Sequence, residues 1–191
     1  MAEAAQQESN EVRPAVPDGE VITLDDAGNV TQKANLKNGK PDGETILYDE
    51  AGAVMQRINF KAGLMNGEME FFQQDVLLFK STYKDGKLDG VSTTFDETGK
   101  PLLRAHYKEG KLDGESHWFA PDGKPLKRSQ FRDGQLEGVT VEYHPGGKPH
   151  LRAEYKANKL DGETIEYGED GQIKNRVLYR AGKPIARPGM N

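Results

Sequence analysis

Histidines are the side chains of this chain best suited to acid–base or metal chemistry, and there are four: His106, His117, His144 and His150. Imidazole titrates near neutral pH and ligates transition metals, so the spacing of these residues decides what they can do. None of them forms a His-Glu-x-x-His motif or another metal-ligand spacing. His106 and His117 are one hairpin apart and can approach each other. Metal-ligating histidines also need orienting partners, so we expect two exposed strand residues there.

Other catalytic motifs are also missing from the sequence. No serine lies in a Gly-x-Ser-x-Gly elbow. The segment His144-Pro-Gly-Gly-Lys148 has the glycines and lysine of a phosphate-binding loop, but it lacks the spacing and the following helix. It occupies a turn position instead. We therefore expect no catalytic residues, no cofactor and no metal, and the chain is predicted not to be an enzyme.

An eight-residue phrase returns every 24 residues or so and sets the position of all these side chains. It reads YKDGKLDG at 83–90, YKEGKLDG at 107–114 and FRDGQLEG at 131–138. A fixed period of this kind is the signature of a repeat architecture. The earlier glycine of the phrase is replaced by Asn158 in one copy, which predicts a turn that needs a positive φ. The final glycine of the phrase recurs at Gly19, Gly43, Gly67, Gly90, Gly114, Gly138 and Gly162.

Each repeat contains two short strand-like runs joined by turn residues. Both links are short, which forces antiparallel neighbours and predicts an all-β, elongated, single-layer antiparallel meander of β-hairpins. We expect about thirteen or fourteen strands and a sheet roughly 60 Å long, without helices. The copy that begins at Gly67 is one residue shorter, and Gln74-Asp75 predicts a tighter turn there. The repeat domain is assigned to residues 18–187, after a disordered lead at 1–17 and before a tail at 188–191.

Composition narrows the classes of partner. The net charge is −5, so the overall field does not favour nucleic acid or an anionic membrane. There is no cysteine, and no apolar run is long enough to span a bilayer. No signal peptide is visible, but the polar, small-residue start resembles that of a mature secreted protein. The expected location is the periplasm if a leader has been removed, and otherwise the cytoplasm.

Two aromatic columns and one basic column run through the repeats. The aromatic residues are expected to stack between repeats as the nearest equivalent of a core, and a basic residue always lies three positions before the second column, on the opposite face. Whether the two aromatic columns share a face depends on turn register. The first column is Leu24, Tyr48, Phe72, Phe95, Phe119, Tyr143 and Tyr167, the second is Leu36, Phe60, Tyr83, Tyr107, Phe131, Tyr155 and Tyr179, and the basic stripe is Lys33, Arg57, Lys80, Arg104, Arg128, Arg152 and Arg176.

Charged columns have a structural and a functional interpretation. The basic stripe either binds an anionic surface or pairs laterally with acidic neighbours such as Glu142, Glu154 and Glu166. An acidic column next to the recurring glycine either caps turns or forms an acidic rim facing a basic partner. Its members are Asp18, Asp42, Asp89, Asp113, Glu137 and Asp161.

The best candidates for partner contacts are apolar residues at positions that are polar in most of the other repeats. Met65, Met69 and Phe71 interrupt the pattern, and the single tryptophan, Trp118, is equivalent to Phe71 two repeats later. A single-layer sheet leaves both faces open to water, so these residues are candidate hot spots, unless they pack locally against a loop or the lead. The predicted partner surface combines these four anchors with three orienting arginines, Arg104, Arg128 and Arg152.

The phrase YKDGKLDG, with a following Phe or Tyr and a Gly-Lys-Pro turn, resembles the variant MORN repeat of bacterial proteins known as antitoxin components. The resemblance covers about residues 19 to 184 and implies a hairpin sheet that acts as the antitoxin or immunity partner of a toxin. Some proteins of this type accompany type VI secretion effectors, including phospholipase-type enzymes of the periplasm. We therefore expect a factor that occludes a cognate toxin; the alternative is a scaffold that binds lipid headgroups or the envelope. Either a monomer or an edge-paired dimer is expected, with Pro184 and Pro188 guarding one edge.

Overall fold

The computed structural model describes residues 18–185, which form one antiparallel sheet whose strands follow one another in sequence order. This confirms the predicted all-β meander; the described residues contain no helix, and so none that could cross a membrane. The strands are β1 (Gly19–Leu24), β2 (Val30–Lys37), β3 (Lys40–Tyr48), β4 (Val54–Lys61), β5 (Leu64–Gln73), β6 (Val76–Lys84), β7 (Lys87–Phe95), β8 (Pro101–Lys108), β9 (Lys111–Phe119), β10 (Pro125–Arg132), β11 (Gln135–Tyr143), β12 (Pro149–Lys156), β13 (Lys159–Tyr167), β14 (Ile173–Arg180) and β15 (Lys183–Ile185).

The expected count of about thirteen or fourteen strands is too low. The sheet has fifteen strands because the three residues after the last turn pair with β14 as a short strand, β15. Strands β1 and β15 are the two edges, and Pro184 lies in β15. The expected lead at 1–17 and tail at 188–191 lie outside the described residues.

In the turns that lead from an even-numbered strand to the next odd-numbered strand, the backbone has the positive φ values that the glycines predicted. In the turn between β6 and β7, φ is 49° at Asp85 and 80° at Gly86, as in the two-residue turns that match the twist of a hairpin. Asn158 has φ 64°, which confirms the positive φ expected there. Gln74 and Asp75, at 49° and 62°, form the predicted tight turn between β5 and β6.

The acidic column caps these turns. The carboxylate of Asp113 accepts a hydrogen bond from the backbone N–H of Asp133, 3.2 Å away and 20 residues later. Asp161 does the same for Ala181 at 2.9 Å. The turn-capping interpretation is therefore confirmed, and each cap ties one repeat to the next. The other caps join Asp18 to Asn38, Asp42 to Ala62, Asp89 to Glu109 and Glu137 to Ala157.

The last glycine of each phrase lies in a bulge. In the β8–β9 pair, Ala105 is opposite Ser116 and Tyr107 is opposite Leu112, so β9 has two more residues than β8 in that interval. Gly114 lies in this stretch with φ 111°, and a Cβ there would lie 3.0 Å from the Cβ of His106. Both the backbone conformation and the close approach therefore require glycine.

Residues that are directly paired across strands share a face, so the register defines two faces. One carries the second aromatic column and is called here the apolar face. Its central row contains the most buried residues of this face, and they are small: Ala34, Thr45, Ser81, Ser92, Ala105, Ser116, Ser129, Thr140 and Ala153.

This burial pattern differs from the expected aromatic core. The aromatic side chains of both columns are half-buried rather than buried, and Leu24 is exposed. The rows that flank the small residues carry large side chains, such as Tyr107 and Trp118 on either side of Ser116. Where a small side chain lies between two such rows, the larger neighbours cover it, so the serines are shielded from water.

Candidate partner-binding surfaces

Trp118 lies on the apolar face, in β9, directly opposite Leu103 and Lys127 of the adjacent strands. Its ring is 6.4 Å from that of Phe131, centroid to centroid, with a tilt of 53°. The Lys127 ammonium lies 5.7 Å from the indole centroid, at the distance of a cation–π contact. The indole is half-buried, so part of it stays open to a partner.

The other three predicted anchors share that face. Phe71 is paired with Phe79 and lies in the same row as Trp118. Met69 belongs to the central row, opposite Ser81, and Met65 is opposite Phe60 in the aromatic row. The sheet thus brings the four anchors to one face. Residues 18–185 form only one layer, so no second sheet or helix among them covers this face.

The three predicted arginines lie on the other face, called here the basic face. Arg104 is opposite Thr93 and His117, and Arg128 is opposite His117 and Val141. Arg152 is opposite Val141 as well. Neighbouring side chains of a strand point to opposite faces, which separates His117 from Trp118. The sheet therefore places the four predicted anchors and the three predicted arginines on opposite faces.

The first aromatic column also lies on the basic face. Lys33 of the basic stripe has its ammonium 6.0 Å from the centroid of the Tyr48 ring. The His117 ring stacks on Phe119 at 6.2 Å. The two aromatic columns are thus on opposite faces, which the sequence had left open, and the second column lies opposite the basic stripe as expected.

Most side chains of the basic stripe form ion pairs with neighbouring carboxylates. Arg57 lies 3.8 Å from Glu44, and Arg128 lies 3.9 Å from Glu115. Lys80 contacts two carboxylates, and the hydrogen bond to Glu68 is the main reason why its pKa is raised. Further pairs are Arg152 with Glu154 at 2.9 Å, Arg176 with Glu163 at 3.7 Å and, on the apolar face, Lys127 with Glu142 at 3.6 Å.

Arg104 is the exception among the arginines of the stripe. Within residues 18–185 it has no ion pair, and its side chain is exposed. The carboxylate that pairs with Arg57 or Arg128 comes from the residue after the bulge glycine, Glu44 or Glu115. In the repeat that precedes Arg104 this position is Val91. Arg152 also follows a valine at this position, Val139, but pairs with Glu154 of its own strand, where the strand of Arg104 has His106. The sequence contained this signal, since both positions are visible once the columns are aligned.

Two of the histidines, His106 and His117, both contact Glu115. His106 Nδ1 lies 2.9 Å from the backbone oxygen of Glu115, and His117 Nε2 lies 3.0 Å from its carboxylate. That carboxylate has a lowered pKa, first because of His117 and then because of Arg128. The rings of His144 and His150 also lie close together, with centroids 4.5 Å apart. In the described part of the chain, no three His, Asp or Glu side chains are grouped to hold a metal.

The comparisons with known proteins agree with the hairpin geometry. The family described as MORN repeat variant matches residues 88–109, 136–157 and 160–181. Each match covers most of one hairpin, β7–β8, β11–β12 or β13–β14. No curated protein matches the chain. The chain therefore carries MORN repeat variants in at least three of its hairpins.

Proposed function

We propose that this chain is a protein-binding factor whose partner docks on the apolar face, and that this partner is a toxin neutralised by occlusion. The observation that carries the binding proposal is the half-buried Trp118, oriented by Phe131 and Lys127 on an apolar face that no second layer of the described residues covers. Rigid aromatic residues in such positions are typical hot spots.

The toxin part of the proposal rests on the resemblance to bacterial antitoxin components. Occlusion suits this architecture, because a long sheet offers a wide contact area without needing catalytic groups. A type VI secretion effector of the phospholipase type, acting in the periplasm, is the partner class that the resemblance favours.

The experiment is capture of a partner from lysate of the native organism, followed by an activity assay. We expect one stoichiometric protein whose toxic activity falls in proportion to added chain. Trp118→Thr, which copies Thr94 at the equivalent position, should lose capture, whereas His117→Thr on the basic face, which copies Thr93, should retain it. A captured protein without toxic activity would contradict the toxin part alone. Capture that survives Trp118→Thr would contradict the apolar-face part.

The second candidate function, binding of lipid headgroups by the basic face, is favoured by one observation. Arg104 has no carboxylate partner within residues 18–185 and is exposed, so it is available to a phosphate. Arg128 and Arg152 already have carboxylates beside them. Binding to anionic vesicles that falls steeply with salt and is lost in Arg104→Gln would support this function over the first.

A further inference from the structure

We propose that His144 and His150 form a two-histidine site for a divalent transition-metal ion of the Cu²⁺, Ni²⁺ or Zn²⁺ type. His144 begins the turn after β11, and His150 is the second residue of β12, so the hairpin brings them together. Their ring centroids are 4.5 Å apart, with the planes inclined at 44°. Both side chains are half-buried, and water has access to the pair.

The ring spacing fits two imidazoles on one ion. A metal–nitrogen bond is about 2.0–2.1 Å, and the ring centre lies about 1.1 Å beyond the nitrogen, which places each centre about 3.1–3.2 Å from the ion. Two ring centres 4.5 Å apart then subtend an angle of about 90° at the ion. This is the angle between adjacent ligands in the tetragonal sites that Cu²⁺ and Ni²⁺ prefer.

A hydrogen bond prepares His144 as a ligand. Its Nε2 lies 3.0 Å from the backbone oxygen of Tyr167. A carbonyl oxygen only accepts, so Nε2 carries the proton and Nδ1 keeps a lone pair. Metal-ligating histidines commonly donate their second N–H to a backbone carbonyl in this way. His150 has no hydrogen bond within the described residues, so its ring is free to turn either nitrogen towards the ion.

Neither histidine is required by the repeat itself. The position of His144 is Ala120 in the preceding repeat and Asp96 in the one before that. The position of His150 is Leu126 and Leu102 in the same two repeats. Since the hairpins fold with other residues at these positions, the pair has no evident role in the turn. In residues 18–185 no third His, Asp or Glu completes a group, so water or an exogenous ligand fills the remaining coordination positions.

The test is a calorimetric titration of the full chain with NiCl₂ and with CuCl₂ at pH 7.5. We expect one ion per chain, and at least a tenfold weaker binding in His144→Ala and in His150→Leu. These replacements copy Ala120 and Leu126 and should preserve the fold, which circular dichroism checks. The matched controls, His106→Asn and His117→Thr, copy Asn59 and Thr93 and should bind as the unmodified chain does.

Electron paramagnetic resonance of the Cu²⁺ complex gives a readout that does not depend on the variants. The proposal predicts hyperfine coupling to two imidazole nitrogens. No binding by the unmodified chain, coupling to one nitrogen, or an affinity in His144→Ala or His150→Leu equal to that of the unmodified chain would each overturn it. The proposed function does not depend on His144 or His150. A negative result in these metal-binding tests therefore leaves the proposed function unchanged.

Discussion

The Trp118 and Phe131 rings, on the adjacent strands β9 and β10, lie 6.4 Å apart and join the row of anchors to the row of aromatic residues on the apolar face. The contact crosses the central row of small residues, where Ser116 and Ser129 are fully buried. The Trp118 and Phe131 side chains thus meet above the small residues of the central row. This contact holds the indole in place but leaves part of it open to solvent. A fixed and partly open indole loses little conformational entropy when a partner covers it.

Removal of a turn cap should destabilise the sheet. Asp161→Ala deletes the acceptor of the Ala181 N–H, at 2.9 Å, and we expect the free energy of unfolding to fall by about 1 kcal/mol. Asp161→Asn keeps an oxygen acceptor and should lose less. The midpoint of urea unfolding measures both. Asp26 is an exposed residue whose carboxylate forms no capping hydrogen bond among the described residues. An equal fall in the free energy of unfolding in Asp26→Ala would show that the loss does not come from removal of the cap.

Glycine at the bulge should be far less replaceable than glycine in an outer turn. Gly114→Ala places a Cβ at φ 111° and 3.0 Å from the Cβ of His106, so we expect a loss of about 1–3 kcal/mol. Gly146→Ala meets nothing within 4 Å and has no positive φ, so it should be neutral or slightly stabilising. Thermal unfolding of the two variants gives the comparison, and similar melting temperatures would contradict the role assigned to the bulge.

The Glu115 cluster predicts an acid-sensitive contribution to stability. The hydrogen bond from His117 and the charge of Arg128 lower the pKa of Glu115 in the folded state. A lowered folded-state pKa means that the stabilisation is present above the unfolded-state pKa and is lost as pH falls through the folded-state pKa. Between about pH 5 and pH 3, the melting temperature should therefore fall more steeply in the unmodified chain than in Glu115→Gln. Parallel curves would contradict the assignment. The effect is modest because the side chain is 41% exposed.

Arg104 should accept a carboxylate supplied at position 91. Val91→Glu copies Glu44 and Glu115, which pair with Arg57 and Arg128. We expect the free energy of unfolding to rise by about 0.2–1 kcal/mol at low salt, and the gain to disappear at 1 M NaCl. Double-mutant analysis with Arg104→Gln isolates the pair. A gain that persists without the arginine would show that the new glutamate acts elsewhere.

The strand and turn pattern could be predicted from the sequence because each repeat specifies its own local structure. Asn158 in place of a glycine identified a positive φ, and the missing residue at Gln74-Asp75 identified a tight turn, both confirmed. The carboxylate caps followed in the same way from turn chemistry, since an acidic residue such as Asp113 precedes the glycine in every copy except the one at Gly67, which has Asn66.

The distribution of residues between the two faces could not be predicted, because it depends on the register of each strand pair. The two extra residues beside Gly114 preserve sequence parity, but the turns set which residue is opposite Tyr107, and the one-residue shift between Thr94 and Phe95 changes parity across β7 and β8. The aromatic columns therefore separate onto opposite faces, and the anchors separate from the arginines. The meeting of His144 and His150 was missed for a related reason: ring contacts across a turn depend on side-chain direction rather than on a spacing motif.

The most direct test of the central claim is the affinity of the captured partner for three forms of the chain, measured by calorimetry. The forms are the unmodified chain, the double variant Phe71→Thr/Trp118→Thr on the apolar face, and Arg104→Gln on the basic face. We predict at least a tenfold loss of affinity in the double variant, the change expected from removing hot spots, and an unchanged affinity in Arg104→Gln. Unchanged binding in the double variant with a loss in Arg104→Gln would contradict the claim and place the partner on the basic face.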